Sequence, residues 1–294
     1  MLKRTIEISR PARLFVKMGQ LFIEHEGAAI GQAPIEDLGI LILAHPAISI
    51  TQAVIANCLA AKCVIVFCDK KFLPISVVLP LWSNNLYSKI LRDQINLSRP
   101  AEKRLWRQVV IGKIEAQART LKSLSIPSDA LKGLIPRVKS GDPNNIEAQA
   151  ARVYWALLFG DTFRRDRDLS GINMLLNYGY AVLRAAVARA LCGSGLNPAL
   201  GIHHHNQYDS LCLADDLMEP LRPAVDSVVH RLAKNNPDME IINQHEKTVL
   251  IGLLNQSFFI QKKTFPLLVA LQYYTASFKD ALTLPDRRLE IPLL

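Results

Sequence analysis

Along residues 1–80, apolar residues fall in short runs separated by turn residues; from about Leu86 onward they recur at helical spacing. The early runs, at 4–9, 13–17, 21–26, 39–43, 63–68 and 75–79, are rich in Ile, Val and Phe and read as strands. One helix interrupts them, capped by Ser49 or Thr51, with Val54, Ile55, Cys58 and Leu59 giving an apolar face out to Ala61. Helical windows follow at 85–96, 100–123, 128–139, 145–159, 172–192, 210–234, 243–256 and 265–282. Pro100 comes just after Ser98, and Gly193 and Gly195 end a helix with Pro198 beyond. Residues 80–85 form the hinge, and no internal repeat is visible. The expected fold is α+β: a small β-rich N-terminal domain with one helix (residues 1–84), then a larger all-α domain (residues 85–294).

Composition agrees with a folded chain, since 50% of residues are hydrophobic and 21% charged. The opening MLKRTIEISR is charged and lacks an apolar leader, and no run of about 18 uncharged apolar residues occurs. A cytoplasmic protein with no membrane span is expected. Five cysteines, an odd number with no CxxC pair, read as reduced core thiols. The net charge of +9 favours nucleic acid as a partner. Basic residues cluster at Arg164, Arg165 and Arg167, at Lys262 and Lys263, and at Arg287 and Arg288. Each cluster alone also suits a solvated face. The first, just past the 145–159 helix, is the candidate DNA contact.

Several common catalytic devices are missing. There is no GxxxxGK[ST] loop and no GxSxG elbow; Gly193-Ser194-Gly195 lacks the third glycine of a dinucleotide fingerprint and follows a helix. His245-Glu246 begins like a zinc-protease motif, but position 249 is valine.

What remains is Gly201-Ile202-His203-His204-His205, followed by a helical window carrying Asp215, Asp216 and Glu219. Three histidines in a loop suit a metal or a polar surface. At i,i+3 and i,i+4 spacing the three acids share a helix face, where a cation would offset their repulsion. A local explanation competes: the helix dipole favours Asp215 and Asp216, and Arg222 is placed to pair with Glu219. Pro220 is expected to kink the helix beside Glu219. Glu147 opens the 145–159 helix. Asn144-x-x-Glu147 has the form of a capping box, which would account for the glutamate without chemistry, although Ala150, Ala151 and Tyr154 suggest that its face is packed.

Four stretches in order resemble the CRISPR-associated integrase family, the larger of the two near-universal spacer-acquisition proteins. They are Glu147-Ala-Gln-Ala-Ala-Arg-Val-Tyr-Trp, Asn173-Met-Leu-Leu-Asn-Tyr-Gly-Tyr-Ala-Val-Leu, Gly195-Leu-Asn-Pro-Ala-Leu-Gly-Ile-His-His and Leu213-Ala-Asp-Asp-Leu-Met-Glu-Pro-Leu-Arg-Pro. They cover most of the helical half, and the flavour is that of type II systems. The resemblance implies a metal triad of Glu147, His204 and Glu219 holding Mg²⁺ or Mn²⁺. Ala148 stands where the family usually has glycine, and the triple histidine leaves the register of His204 open by one residue. The implied activity is that of a DNA endonuclease and integrase, in which the 3′-hydroxyl of a captured fragment attacks a CRISPR repeat phosphodiester. The implied partners are double-stranded DNA (fragment and repeat), a second copy in a homodimer through the β-rich domain, and a small ferredoxin-like protein in a four-plus-two complex. Two other readings stay open: a non-catalytic helical DNA-binding protein, and a zinc hydrolase of a small phosphorylated substrate acting through His203 and His205. The apolar residues 291–294 are placed to dock either on a neighbour or on the chain's own core.

Overall fold

The computed structural model describes residues 3–70, 72–81, 84–166, 169–235, 241–284 and 286–294. The N-terminal part holds β1 (Arg4–Ile8), β2 (Ala12–Lys17), β3 (Gln20–His25), β4 (Ala28–Pro34), a 3-10 turn (Ile35–Asp37), β5 (Leu38–Leu43), β6 (Ile48–Ile50), α1 (Gln52–Ala60), β7 (Val64–Cys68) and β8 (Pro74–Val78). These strands make two sheets of four. The first runs β1-β5-β7-β8, parallel except for β8. The second runs β4-β3-β2-β6, an antiparallel meander to which β6 adds in parallel. Strands β4 and β6 lie outside the six expected from sequence. Ala-Ala-Ile-Gly-Gln-Ala-Pro is largely exposed and poor in β-formers, and β6 is only three residues long.

Strand β5 joins the two halves. Its sequence Leu-Gly-Ile-Leu-Ile-Leu is buried throughout, the mark of a strand covered on both faces. Leu41 and Leu43, with Ile65 of β7, face the N-terminal core of Leu14, Leu21, Val54 and Cys58. Ile40 and Ile42, with Val64 and Val66, turn the other way into the helical core. A polar tie reinforces the junction: Glu7 of β1 accepts from the Tyr178 hydroxyl (3.3 Å) and Gln244 Nε2 (3.1 Å), with Lys247 Nζ at 3.7 Å.

The remainder comprises α2 (Tyr87–Ile95), α3 (Arg99–Ser123), α4 (Asp129–Lys132), α5 (Ile146–Phe159), α6 (Ile172–Gly193), α7 (Cys212–Met218), α8 (Arg222–Asn235), α9 (Gln244–Gly252), β9 (Ser257–Ile260), β10 (Lys263–Pro266) and α10 (Leu267–Ala281). This part is therefore not all-α. An antiparallel hairpin, β9–β10, turns through Gln261 and Lys262, both at positive φ. Its strands of four residues were masked in sequence by the helical windows on either side. Two expected helices are also divided. The 128–139 window becomes α4 and a 3-10 turn (Ile135–Arg137), with Gly133 between them and Pro136 inside the turn. The 210–234 window breaks at Pro220, where a 3-10 turn (Glu219–Leu221) joins α7 to α8. Residues 291–294 fold back on their own chain. Phe259 pairs with Leu293, and the Leu289 amide donates to Gln108 Oε1 at 2.9 Å.

Helix α3 runs through the middle, burying Trp106, Val109, Val110, Ile114 and Leu121. Helices α6 and α8 approach so closely that a Cβ on Gly179 would stand 2.5 Å from Val225 Cγ1. Among the described residues, Cys58, Cys63, Cys68 and Cys212 are free thiols and no helix is long and apolar enough to cross a membrane.

Candidate functional site

The capping box expected at Asn144 and Glu147 is not formed. Asp142 holds the start of α5 instead: its Oδ1 accepts the Ile146 amide and its Oδ2 the Glu147 amide, each at 2.9 Å. Asn145, the cap residue, sits at φ 50° and accepts from the Ala148 amide at 3.4 Å. Local backbone demands are thus met by neighbours, and the Glu147 side chain is left for other work. Ala150 and Tyr154 are fully buried, while Glu147, Ala151 and Trp155, one turn apart, line a cleft.

Glu219 enters the same cleft from the kink at Pro220 and is itself buried. The ammonium of Lys113, projecting from α3, contacts both Glu147 Oε1 and Glu219 Oε2. Arg222 Nε lies 2.9 Å from Glu219 Oε1. Burial works against ionising Glu219, but the Arg222 and Lys113 cations outweigh it and hold its carboxyl down at about 2. Burial likewise works against the Lys113 ammonium, and Glu219 and Glu147 raise its pKa above the ordinary lysine value.

His204 reaches the cleft from the loop before α7. Asp216, fully buried on α7, organises that loop by accepting the amides of Ile202 (2.7 Å), His203 (3.0 Å) and His204 (3.2 Å). It also meets His204 Nδ1 at 2.6 Å. A carboxylate only accepts, so Nδ1 carries the proton and Nε2 keeps its lone pair. This bond raises the His204 pKa above the ordinary imidazole value, against the opposing effect of burial. Gly201 leaves no room for a larger residue, because a Cβ there would lie 2.3 Å from the His204 carbonyl oxygen and 2.9 Å from Asp216 Oδ2. His203 stacks flat on the buried Trp106, ring centroids 3.9 Å apart, which clamps the loop from the other side.

Glu147, His204 and Glu219 therefore line one cleft of about 370 Å³, together with Lys113, Arg222 and Asp226. Asp226 accepts from the hydroxyls of Tyr154 (3.0 Å) and Tyr180, and burial pushes its carboxyl up to about 7 despite those bonds. Among the described residues, no three His, Cys, Asp or Glu side chains stand together as a ready-made metal cage. The donor set still fits a hard divalent cation: two carboxylates already gathered on one positive charge, and an imidazole with its outer nitrogen available.

The other acids do not share a face as their spacing suggested. Asp215 pairs with Arg184 through two contacts of 2.7 Å, and Asp216 is occupied by the histidine loop. Of the arginine cluster, Arg165 lines the cleft and donates to Asn173 Oδ1 (3.0 Å) and Asn177 Oδ1 (2.7 Å). Arg164 is exposed and donates to the carbonyls of Asp161 and Phe163, and Arg167 lies outside the described residues. His203 and His205 do not face a common site, since His203 is stacked on Trp106 and His205 lines a different cleft. The zinc-hydrolase geometry is therefore absent.

Sequence reasoning passed over Lys113, and Asp216 was seen only as a neighbouring acid. A signal for Lys113 was present: with Trp106, Val109, Val110 and Gln117 it occupies the inward stripe of α3, where a lysine needs a partner.

The family described as CRISPR associated protein Cas1 matches residues 8–252. The CRISPR-associated endonuclease Cas1 of Neisseria meningitidis serogroup C (strain 8013) is 35% identical over 286 residues, which cover 95% of this chain and 92% of that protein. Two solved structures share the fold at low identity. A casposase bound to integration product superimposes with a TM-score of 0.79 at 17% identity, over 99% of this chain and 93% of that one. A Cas6-RT-Cas1--Cas2 complex does so at 0.77 and 19% identity, over 98% of this chain and 36% of that one.

Proposed function

The chain belongs to the CRISPR-associated Cas1 family, and from that premise we propose that it is a metal-dependent DNA endonuclease and integrase of spacer acquisition. It joins the 3′-hydroxyl of a captured fragment to a phosphodiester of the CRISPR repeat. The observation that carries this reading is the meeting of Glu147, His204 and Glu219 around one cleft that the cations Lys113, Arg165 and Arg222 also line, with Asp226 beside them. The three residues would hold Mg²⁺ or Mn²⁺, hard cations that suit two carboxylates and one imidazole. When bound, the ion neutralises charge developing on the nonbridging oxygens and orients the attacking oxygen. Asp216 keeps the His204 ring in the tautomer that presents Nε2. Arg222 keeps Glu219 ionised, and Arg165 adds positive charge where a phosphate enters. Exchanging one phosphodiester for another is close to energy-neutral, in keeping with the lack of a phosphate-binding GxxxxGK[ST] loop.

The same reading gives the chain a second copy as partner through residues 1–84. Met18 (91% exposed) and Ile30 (58% exposed) offer apolar surface on that domain. It also gives a small ferredoxin-like partner that bridges two such dimers in a four-plus-two assembly working in the cytoplasm. The fold match to a Cas6-RT-Cas1--Cas2 complex supports a partner of that kind.

The test is strand transfer of an end-labelled fragment into a repeat duplex in Mn²⁺. Wild type should produce a joined species, a fragment ending in a 3′-dideoxynucleotide should not, and His204→Ala should lose the reaction while keeping its fold. Joining of the dideoxy fragment, or wild-type joining by His204→Ala, overturns the proposal.

A further inference from the structure

We propose that Lys113 is a displaceable internal cation: its ammonium takes the place between Glu147 and Glu219 that the divalent ion takes in the loaded protein, and it gives that place up to a DNA phosphate. The inference rests on the metal reading above and concerns a residue which that reading does not use.

The geometry has four parts. The Lys113 side chain is only 12% exposed, and its ammonium is in contact with one oxygen of each glutamate. The other oxygen of Glu219, Oε1, is paired with Arg222. Arg222 is anchored in its turn over the Tyr180 ring, its guanidinium carbon 4.7 Å from the centroid. The two carboxylates are thus balanced by one anchored cation and one on a flexible stem. The planar Arg222 guanidinium is packed on that ring, whereas lysine is a point charge on four methylenes that leaves by bond rotation.

A divalent ion bound to the same oxygens at about 2.0–2.2 Å would lie only a few ångströms from the ammonium. Two cations that close on the same pair of carboxylates repel, and they compete for the same oxygens, so the ammonium must leave for the ion to enter. Displaced, the largely buried Lys113 side chain still ends in this cleft, where an anion stabilises its charge. The anion that arrives in this cleft is the phosphodiester. The two ligands then bind cooperatively: the phosphate takes the ammonium, and the ammonium's departure opens the carboxylates. Without DNA, Lys113 holds the glutamates in an inert ion pair.

The experiment is Mn²⁺ titration calorimetry on the full chain, which reads binding and not turnover. It compares wild type with Lys113→Met, Lys113→Arg and Glu147→Gln, after thermal melts have established which variants are folded. Lys113→Met should bind Mn²⁺ more tightly than wild type by about tenfold or more, within the usual span of couplings between sites. Lys113→Arg, whose guanidinium stays on the carboxylates, should bind it more weakly. A duplex with a 3′ overhang should tighten Mn²⁺ binding to wild type more than to Lys113→Met. Affinity of Lys113→Met at or below wild type, affinity of Lys113→Arg at or above it, or equal tightening by DNA in wild type and Lys113→Met overturns the inference. Because Lys113→Arg retains a buried cation, its comparison stands even if Lys113→Met does not fold. Glu147→Gln separates the two levels. If it loses Mn²⁺ while Lys113→Met gains nothing, only the displacement idea falls; if it binds Mn²⁺ like wild type, the metal site itself is wrong and this inference falls with it.

Discussion

Replacing Asp216 by asparagine tests what one carboxylate oxygen does for the histidine loop. Oδ2 serves the amides of Ile202 and His203, and Oδ1 serves the amide and Nδ1 of His204. With the asparagine carbonyl in place of Oδ2, its NH₂ group takes the place of Oδ1 and confronts two donors. The least costly relief is a change of tautomer, in which His204 Nδ1 gives up its proton, accepts from the new amide and leaves the proton on Nε2. Two bonds to a charged acceptor, worth about 1.5–3 kcal/mol each, become one neutral bond and one unpaired amide. The His204 side chain is 46% exposed, so water recovers part of the loss. A net destabilisation of about 2 kcal/mol follows, a fall of roughly 4–8 °C in Tm for a chain of this size. The effect on the site is larger than the effect on the fold. An imidazole protonated at Nε2 cannot ligate, and Mn²⁺ affinity should fall about 10–100-fold, as for other residues that orient a metal ligand. Strand transfer should fall at least as far. Thermal melts, Mn²⁺ calorimetry and the strand-transfer assay on one preparation separate these effects. A folded Asp216→Asn protein with wild-type Mn²⁺ affinity would refute the positioning role.

Asp142→Ala removes both amide acceptors at the start of α5 and should cost about 1–2 kcal/mol in urea unfolding, with strand transfer reduced because Glu147 loses its fixed starting point; unchanged stability would mean that the cap is idle. Asp226 has a folded-state pKa raised from 3.8 to about 7. Its stabilising contribution is therefore complete below about pH 4 and is lost as pH rises through about 7. Asp226→Asn removes that dependence, so its stability relative to wild type should improve from pH 5 to pH 8 by about 2–3 kcal/mol; a difference that does not vary with pH would show that Asp226 is ionised in the folded state throughout. Arg165→Ala should weaken DNA binding and lower the slope of log affinity against log salt by about one; an unchanged slope would remove Arg165 from the DNA path.

Elements with a strong period were legible in the sequence, and those that depend on distant partners were not. The strands at β1, β2, β3, β5, β7 and β8 and the long helices α3, α5, α6 and α10 carry their own apolar pattern, and Pro220 announced the break between α7 and α8. Strands β4 and β6 and the β9–β10 hairpin are short or polar and exist through their pairing with other strands. For the proposed site, Glu147, His204 and Glu219 were named through resemblance and now line one cleft, while a glutamate that opens a helix also looks like a cap. The structure separates the two roles by assigning the cap to Asp142. The duty of Asp216 could not be read from i,i+3 spacing, because its partners lie in a loop 12–14 residues back. Lys113, 34 residues from Glu147 and 106 from Glu219, joins the site through tertiary packing alone.

The central claim is that Glu147, His204 and Glu219 hold the ion that makes this cleft a DNA-joining site. Crystals of the wild-type protein with a short repeat duplex, soaked in Mn²⁺ and measured at the manganese edge, test it most directly. The expected result is an anomalous peak in the cleft within about 2.0–2.6 Å of an oxygen of Glu147, an oxygen of Glu219 and Nε2 of His204. Manganese bound elsewhere, with these three side chains uncoordinated at concentrations that support strand transfer, would contradict it.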